Sequence, residues 1–207
     1  YAFMSIPSGM IIEKWGEKPV LLAAFVLAFA GSLLFCLFPL YPTAILSLFL
    51  IGLGMAALQV AINPLLRVSG GEEHFAFNAV LAQLIFGLAS FVSPLIYSYF
   101  AVGLADPATA NRDPLSRALA QVVPAALPWI SIYWIFSAIA LLMIVLVMAS
   151  SFPRVERTQD EKAVALATHI ELLKQPVVWL FFLGIFSYVG LEQGLSNWMS
   201  EFLATQH

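Results

Sequence analysis

The 207-residue chain is 61% hydrophobic and only 10% charged, against roughly 25% charged for an ordinary soluble domain, which excludes a common globular fold. A net charge of −3 gives nucleic-acid binding no support, the single cysteine, Cys36, leaves no internal disulfide, and three scattered histidines lack metal-ligand spacing. The charges are clumped: none falls within 19–66, 75–105, 118–153 or 175–191, and each of these runs holds at least one membrane span, which needs about 20 apolar residues.

The chain opens inside an apolar stretch, without an initiator Met or a charged signal start, and stops at His207 soon after another apolar run. It therefore reads as a fragment of a longer membrane protein. Residues 1–12 are apolar but too short to cross a bilayer, so they are the tail of a span that ends in the charged turn Glu13-Lys14-Trp15-Gly16-Glu17-Lys18. The next run divides at Phe38-Pro39-Leu40-Tyr41-Pro42, an interfacial turn. This predicts one span over 19–38 and a second over 43–66. A polar patch over 67–74 precedes a third span over 75–100, whose far end carries Tyr97, Tyr99 and Phe100 as an aromatic belt.

Within the loop over 105–128, Asp113-Pro114 has the form of an N-cap followed by proline at the first helical position, so a short helix runs to Val122 before Pro124 stops it. A fourth span covers 129–150. In 151–175, Thr158-Gln159-Asp160-Glu161 has capping-box spacing, and Val164, Ala167, Ile170 and Leu173 recur at helical spacing. That pattern predicts an amphipathic helix on the membrane surface. The last span starts at Pro176 and runs to Leu203. With strict alternation of spans, Lys14, Lys18, Arg67, Arg154, Arg157, Lys162 and Lys174 fall on one side and only Arg112 and Arg117 on the other. Lys and Arg are enriched in short cytoplasmic loops, so the loops at 13–18, 67–74 and 151–175 are expected in the cytoplasm.

Three stretches carry a family resemblance. Gly9-Met10-Ile11-Ile12-Glu13-Lys14-Trp15-Gly16-Glu17-Lys18 matches the pattern Gly-x-x-x-acid-base-x-Gly-x-base, which resembles the signature loop after the second helix of the major facilitator superfamily. Glu13 and Lys14 stand where Asp and Arg are commoner. The stretch Gly52 to Pro64, with Gln59 and Asn63-Pro64, followed by Gly70, His74-Phe75 and Asn78, resembles the fourth helix and next loop of that superfamily's fucose:proton symporter branch. In Phe186-Ser187-Tyr188-Val189-Gly190-Leu191-Glu192 the Tyr-Val-Gly-x-Glu pattern is similar to that branch's seventh helix. The resemblance implies an all-α membrane protein, part of a major facilitator helical bundle with about five full spans plus the end of another. It also implies a division into 1–150 as part of the first six-helix bundle, 151–175 as a cytoplasmic linker, and 176–207 as the first helix of the second bundle.

The same resemblance implies an alternating-access transporter that takes up a monosaccharide with a proton. It implies no organic cofactor or metal, the inner cell membrane as location, and a monomer whose partners are the sugar and the lipid bilayer. Gly9, Glu13, Lys14, Gly16 and Lys18 would form a conformational-switch loop in which Gly9 permits close helix approach and Gly16 a tight turn. Gln59, Asn63, Glu192, Asn197 and Trp198 would bind substrate. Where the fucose branch carries a Glu in its fourth helix and an Asn in its fifth, this chain has Gln59 and Leu84, so fucose specificity does not transfer. Gln59 hydrogen-bonds a hydroxyl but takes up no proton.

Glu192 is the one carboxylate well inside a predicted span, roughly 24 Å along its helix, where an ionisable group costs about 2.5 to 3.5 kcal/mol and faces a cavity or a partner. It is either a substrate acceptor or titrating group, or a structural carboxylate bonded to a neighbouring helix. Trp198 stacks on a sugar or anchors the interface, and Asn63 either binds substrate or satisfies backbone freed by Pro64. Gly52, Gly54, Gly87 and Ala89 are read as close-packing residues. An exporter of the same superfamily and a sensor on its fold are the competing readings. A membrane-embedded enzyme lacks any visible nucleophile and base or paired acids.

Overall fold

A computed structural model describes residues 2–106, 113–150 and 174–206. The described residues form helices joined by short turns, with no strand among them. In hydrocarbon the chain must satisfy every backbone N–H and C=O within its own segment, which an apolar run does only as a helix. In order, these are α1 (Ala2–Trp15), α2 (Glu17–Leu37), α3 (Tyr41–Gly70), α4 (Phe75–Tyr97), α5 (Pro114–Val122), α6 (Ser131–Ala149) and α7 (Pro176–Gln206). Among the described residues, five stretches are long and apolar enough to cross a membrane: Glu17–Leu37, Tyr41–Val68, Phe75–Ala105, Pro128–Ala149 and Pro176–Leu195.

The helices outrun the expected spans in both directions. α1 continues through Glu13 and Lys14, so the charged turn shrinks to Gly16 alone. There the backbone takes φ 86° and ψ 175°, a region essentially confined to glycine. α3 likewise continues through Arg67 to Gly70, and the polar patch expected over 67–74 reduces to Gly71, at φ 71° and ψ 155°, and the 3-10 turn Glu72–His74. Polarity ends the membrane span, but only a residue that breaks the hydrogen-bond ladder ends the helix. At the other end, Tyr41 and Pro42 already lie inside α3, because a proline in the first turn forfeits an N–H that had no partner. Beyond Tyr97, α4 passes through a π turn, Ser98–Val102, and a last helical turn, Gly103–Ala105. The amphipathic helix expected over 158–173 lies outside the described residues.

The chain forms two compact units, Tyr1–Val155 and Glu156–His207. In the first, α2 is the centre: α3 and α6 pack on it, and α1 packs on α3 and α2. The α2–α3 seam is made of small residues. A Cβ on Gly54 would stand 2.6 Å from the Ala24 carbonyl oxygen, and one on Gly31 would stand 2.9 Å from the Ser47 carbonyl oxygen. The Ser47 hydroxyl donates to the Gly31 carbonyl across the seam at 2.6 Å, a contact possible only where backbones approach this closely. Gly9, Gly52 and Gly87, expected at close crossings, have nothing within 4 Å of an added Cβ, and Gly31 takes the role instead.

Two apolar clusters sit at opposite ends of α2. One joins Ile12 of α1, Val20, Leu21 and Ala24 of α2, Ala57, Ala61 and Leu65 of α3, and Val147 of α6. The other buries Cys36 against Leu119, Val123 and Ile130, and Phe35 meets Tyr133 edge-on at 4.8 Å between centroids beside it. α5 supplies Leu119 to that cluster and starts as expected from its cap. The Ser116 amide and hydroxyl both donate to the Asp113 carboxylate, at 2.8 and 2.6 Å, and the Tyr99 hydroxyl donates to it at 2.9 Å. Asp113 thereby ties the far end of α4 to α5.

Candidate functional site

The buried face of α3 carries Ala57 and Ala61 against α2. Gln59 follows Ala57 by two residues, about 200° around the helix, so it faces away from the seam. Together with Ile62 and Leu66, at i+3 and i+7, it lines a cleft of about 460 Å³ whose other wall is α4. That wall presents Ala79, Val80, Ala82, Gln83 and Phe86, of which Ala79, Ala82, Gln83 and Phe86 fall at i, i+3, i+4 and i+7. Gln59 lies 11 residues before the end of α3, and Gln83 lies eight residues after the start of α4. At 1.5 Å per residue these are about 16 and 12 Å from the near ends of their helices, toward the middle of a hydrocarbon layer about 30 Å thick.

Two glutamines are the polar residues of an otherwise apolar cleft, the composition of a small-molecule pocket, where few polar groups fix orientation within hydrophobic walls. Phe86 offers an apolar face and the amides offer both donors and acceptors. Gln83 was not among the candidates from sequence. Its signal was an amide well inside a charge-free run, which demands a cavity or a partner. Leu84, the position singled out by resemblance, does not line the cleft. Asn63 lies one turn after Gln59 on α3, directly before Pro64.

The loop residues separate in role. Gly16 makes the one-residue turn between α1 and α2. Lys18, in the first turn of α2, donates from Nζ to the carbonyls of Met148 at 3.1 Å and Ser150 at 2.7 Å. A lysine on the last carbonyls of a helix satisfies orphan acceptors and complements the dipole, so Lys18 fastens this turn to the end of α6. Lys14 is exposed, while Glu17, which the sequence reading passed over, is buried at 6% exposure in the first turn of α2, where the positive end of the helix dipole favours a carboxylate. Glu13 lies in the last turns of α1.

In the second unit, α7 carries Glu192, Asn197 and Trp198. Glu192 and Trp198 are exposed on it. Tyr188 precedes Glu192 by one turn of the same helix, the spacing at which helical neighbours meet.

The family model described as Major Facilitator Superfamily matches residues 1–207. The chain is 25% identical over 207 residues to a glucose/galactose transporter of Brucella abortus, a match covering 99% of this chain and 47% of that protein. It is 25% identical over 205 residues to the L-fucose-proton symporter of Escherichia coli, covering 93% of this chain and 46% of that one. The chain thus spans about half the length of the curated relatives it matches, and those relatives are transporters rather than enzymes. A crystal structure of the Escherichia coli fucose:proton symporter superposes with a TM-score of 0.68 at 21% identity, over 94% of this chain and 50% of that one. At that identity the likeness shows the fold.

Proposed function

The chain belongs to the major facilitator superfamily, a multi-pass membrane protein by its five span-length helices, and from that premise we propose that it serves proton-coupled uptake of a monosaccharide by alternating access. The observation that carries the substrate class is the cleft between α3 and α4, apolar apart from the neutral amides Gln59 and Gln83. Uncharged donors and acceptors beside the Phe86 ring suit a ligand with many hydroxyls and no net charge. The printed functions of the relatives, glucose/galactose transport and L-fucose–proton symport, support the same class.

In this reading residues 1–150 belong to the first six-helix bundle, 151–175 to the linker between bundles, and 176–207 to the start of the second. The loops at 13–18 and 67–74 and the linker face the cytoplasm from the inner membrane, in line with the excess of Lys and Arg there, and the protein works as a monomer. Two bundles of this type rock about a site near the bilayer midplane, the depth at which Gln59 and Gln83 stand. Gln59, Asn63, Asn197 and Trp198 contact the sugar. Glu192, one turn beyond Tyr188, is the group in this stretch whose protonation is coupled to transport, since Gln59 has no proton to exchange. Gly9, Glu13, Lys14, Gly16 and Lys18 form the loop that changes contacts as the bundles rock.

The test is uptake of labelled glucose, galactose, mannose and fucose into proteoliposomes of the full-length protein, with and without an imposed proton gradient, beside Glu192→Gln. Gradient-driven accumulation of one sugar, uncoupled in the variant, is the expected result. Accumulation with coupling intact in Glu192→Gln removes Glu192 from the mechanism, and uptake of no sugar overturns the substrate class.

A further inference from the structure

We propose that α5 is a releasable clasp for α4: seated where α2 ends and α6 begins, and bonded through Asp113 to Tyr99, it grips the far end of a long helix that the rest of the first unit leaves loose. The inference is independent of what the protein carries.

Burial along α4 is lopsided. None of its residues from Phe75 to Tyr97 is buried, whereas Ala101, in the π turn that follows, is 4% exposed. Beside it, Phe100 and Leu104 pack on the cluster of Cys36, Leu119, Val123 and Ile130. Leu119 belongs to α5 and Val123 is its C-cap, so the short helix closes over the firm hold on the long one. Between the held end and the loose arm, Pro94 removes a backbone donor and the Ser90 hydroxyl draws on the Phe86 carbonyl at 3.1 Å. Both features bend helices.

The fastening runs through one carboxylate. Asp113 accepts from the Tyr99 hydroxyl at an exposed position and starts α5 by accepting from Ser116. The same side chain therefore begins the clasp and ties it to α4. A helix of nine residues does not persist alone in water, so α5 keeps its shape only while docked. Its docking rests on few apolar groups, chiefly Leu119 and Val123, and segments with little buried surface open locally far more often than the whole protein unfolds. Beneath it, Trp134 packs on the same cluster with its indole N–H buried and without an acceptor among the described residues. A buried donor of that kind is costly, and water relieves the cost once the cover lifts.

The experiment uses the purified full-length protein and reads the clasp and the arm separately. Cys36 lies under α5, and its alkylation by a water-soluble maleimide reads the clasp: where reclosing outpaces reaction, the rate relative to a free thiol is the released fraction. The arm is read in a Cys36→Ala background by the spin-label distance between Phe77→Cys on α4 and Leu142→Cys on α6, with Leu48→Cys on α3 and Leu142→Cys as the control pair. All three side chains are exposed, and Phe77 stands about 36 Å from Ala101 at 1.5 Å per residue, far enough along the arm to magnify a small change of angle. Tyr99→Phe should raise the Cys36 rate about fivefold and Leu119→Ala about thirtyfold. A second, different α4–α6 separation should appear in the same variants, in the proportion the Cys36 rates give, while the control pair keeps its single distance. Faster Cys36 with an unmoved α4 overturns the clasp and makes α5 a mere flap, and an unchanged Cys36 rate in Leu119→Ala overturns it as well. Broadening of the control pair together with the other shows the whole unit loosening, which equally removes the proposal.

Discussion

The seam between α2 and α3 and the cleft between α3 and α4 lie on opposite flanks of one helix, and all three helices are free of charged residues through their apolar stretches. Nearly half of the spanning stretch of α2 is buried, whereas none of α4's is. Hydropathy therefore decides that these helices cross a membrane but does not decide which flank closes. Side-chain size and polarity do that: Gly31, Ser47 and Gly54 let the backbones of α2 and α3 touch, while Gln59 and Gln83 mark the flank that stays open. Without a hydrophobic drive between helices in lipid, such packing and polar contacts are what remain to distinguish one face from another.

The harshest way to break this contrast is Gly54→Val. Its Cβ would stand 2.6 Å from the backbone oxygen of Ala24, which cannot swing aside, so we expect a loss of about 3 kcal/mol from overpacking, read as a drop in the thermal unfolding midpoint of the purified protein. The paired control, Gly52→Ala on the same helix, meets nothing within 4 Å and should hold or raise that midpoint, since alanine is the better helix former. Equal damage from both would show that the seam is not special.

Next in size is Gly16→Ala at the edge of the seam. Its positive φ costs a Cβ-bearing residue about 1 to 3 kcal/mol, and the same midpoint measures it. Lys18→Met removes both bonds to the carbonyls at the end of α6. At a site partly open to solvent we expect about 1 kcal/mol, together with faster amide hydrogen exchange over 146–150.

A smaller and local effect is expected at Asp113. The bonds from the Ser116 side chain and then its backbone, with lesser help from Tyr99, hold the carboxyl at about 2 against an ordinary 3.8. A lowered folded value means that the cap contributes fully above pH 3.8 and fades as pH falls toward 2. Exchange protection of 114–122 should decline across that window, and Asp113→Asn should flatten the dependence. The smallest stability change belongs to Gln59→Leu, within about 0.5 kcal/mol because it faces the open cleft and not the seam. A large destabilisation there would place Gln59 in packing and close the contrast drawn above.

Much of the fold could be read from the sequence because charge-free runs leave the backbone one solution. The five spans and the Asp113 cap follow from residues close in the chain. Helix ends did not follow, since α1 and α3 run on past Glu13 and Arg67 to the glycines that reverse the backbone. Nor did the choice of close crossings: Gly52 and Gly54 are two residues apart and alike in sequence, yet only one faces Ala24. The site divides in the same way. Tyr188 and Glu192 stand one turn apart by helical spacing alone, so their nearness was implicit in the chain. Gln59 and Gln83 come from different helices, and their juxtaposition depends on the rotation of each about its axis, which no local pattern records.

The burial of Cys36 among Leu119, Val123 and Ile130 has a practical side. A thiol shut inside an apolar cluster reacts slowly with aqueous reagents, so this stretch of the protein is already a quiet background for spectroscopic labelling. A reporter introduced at either wall of the cleft would be the bright spot, read against a silent remainder of this stretch.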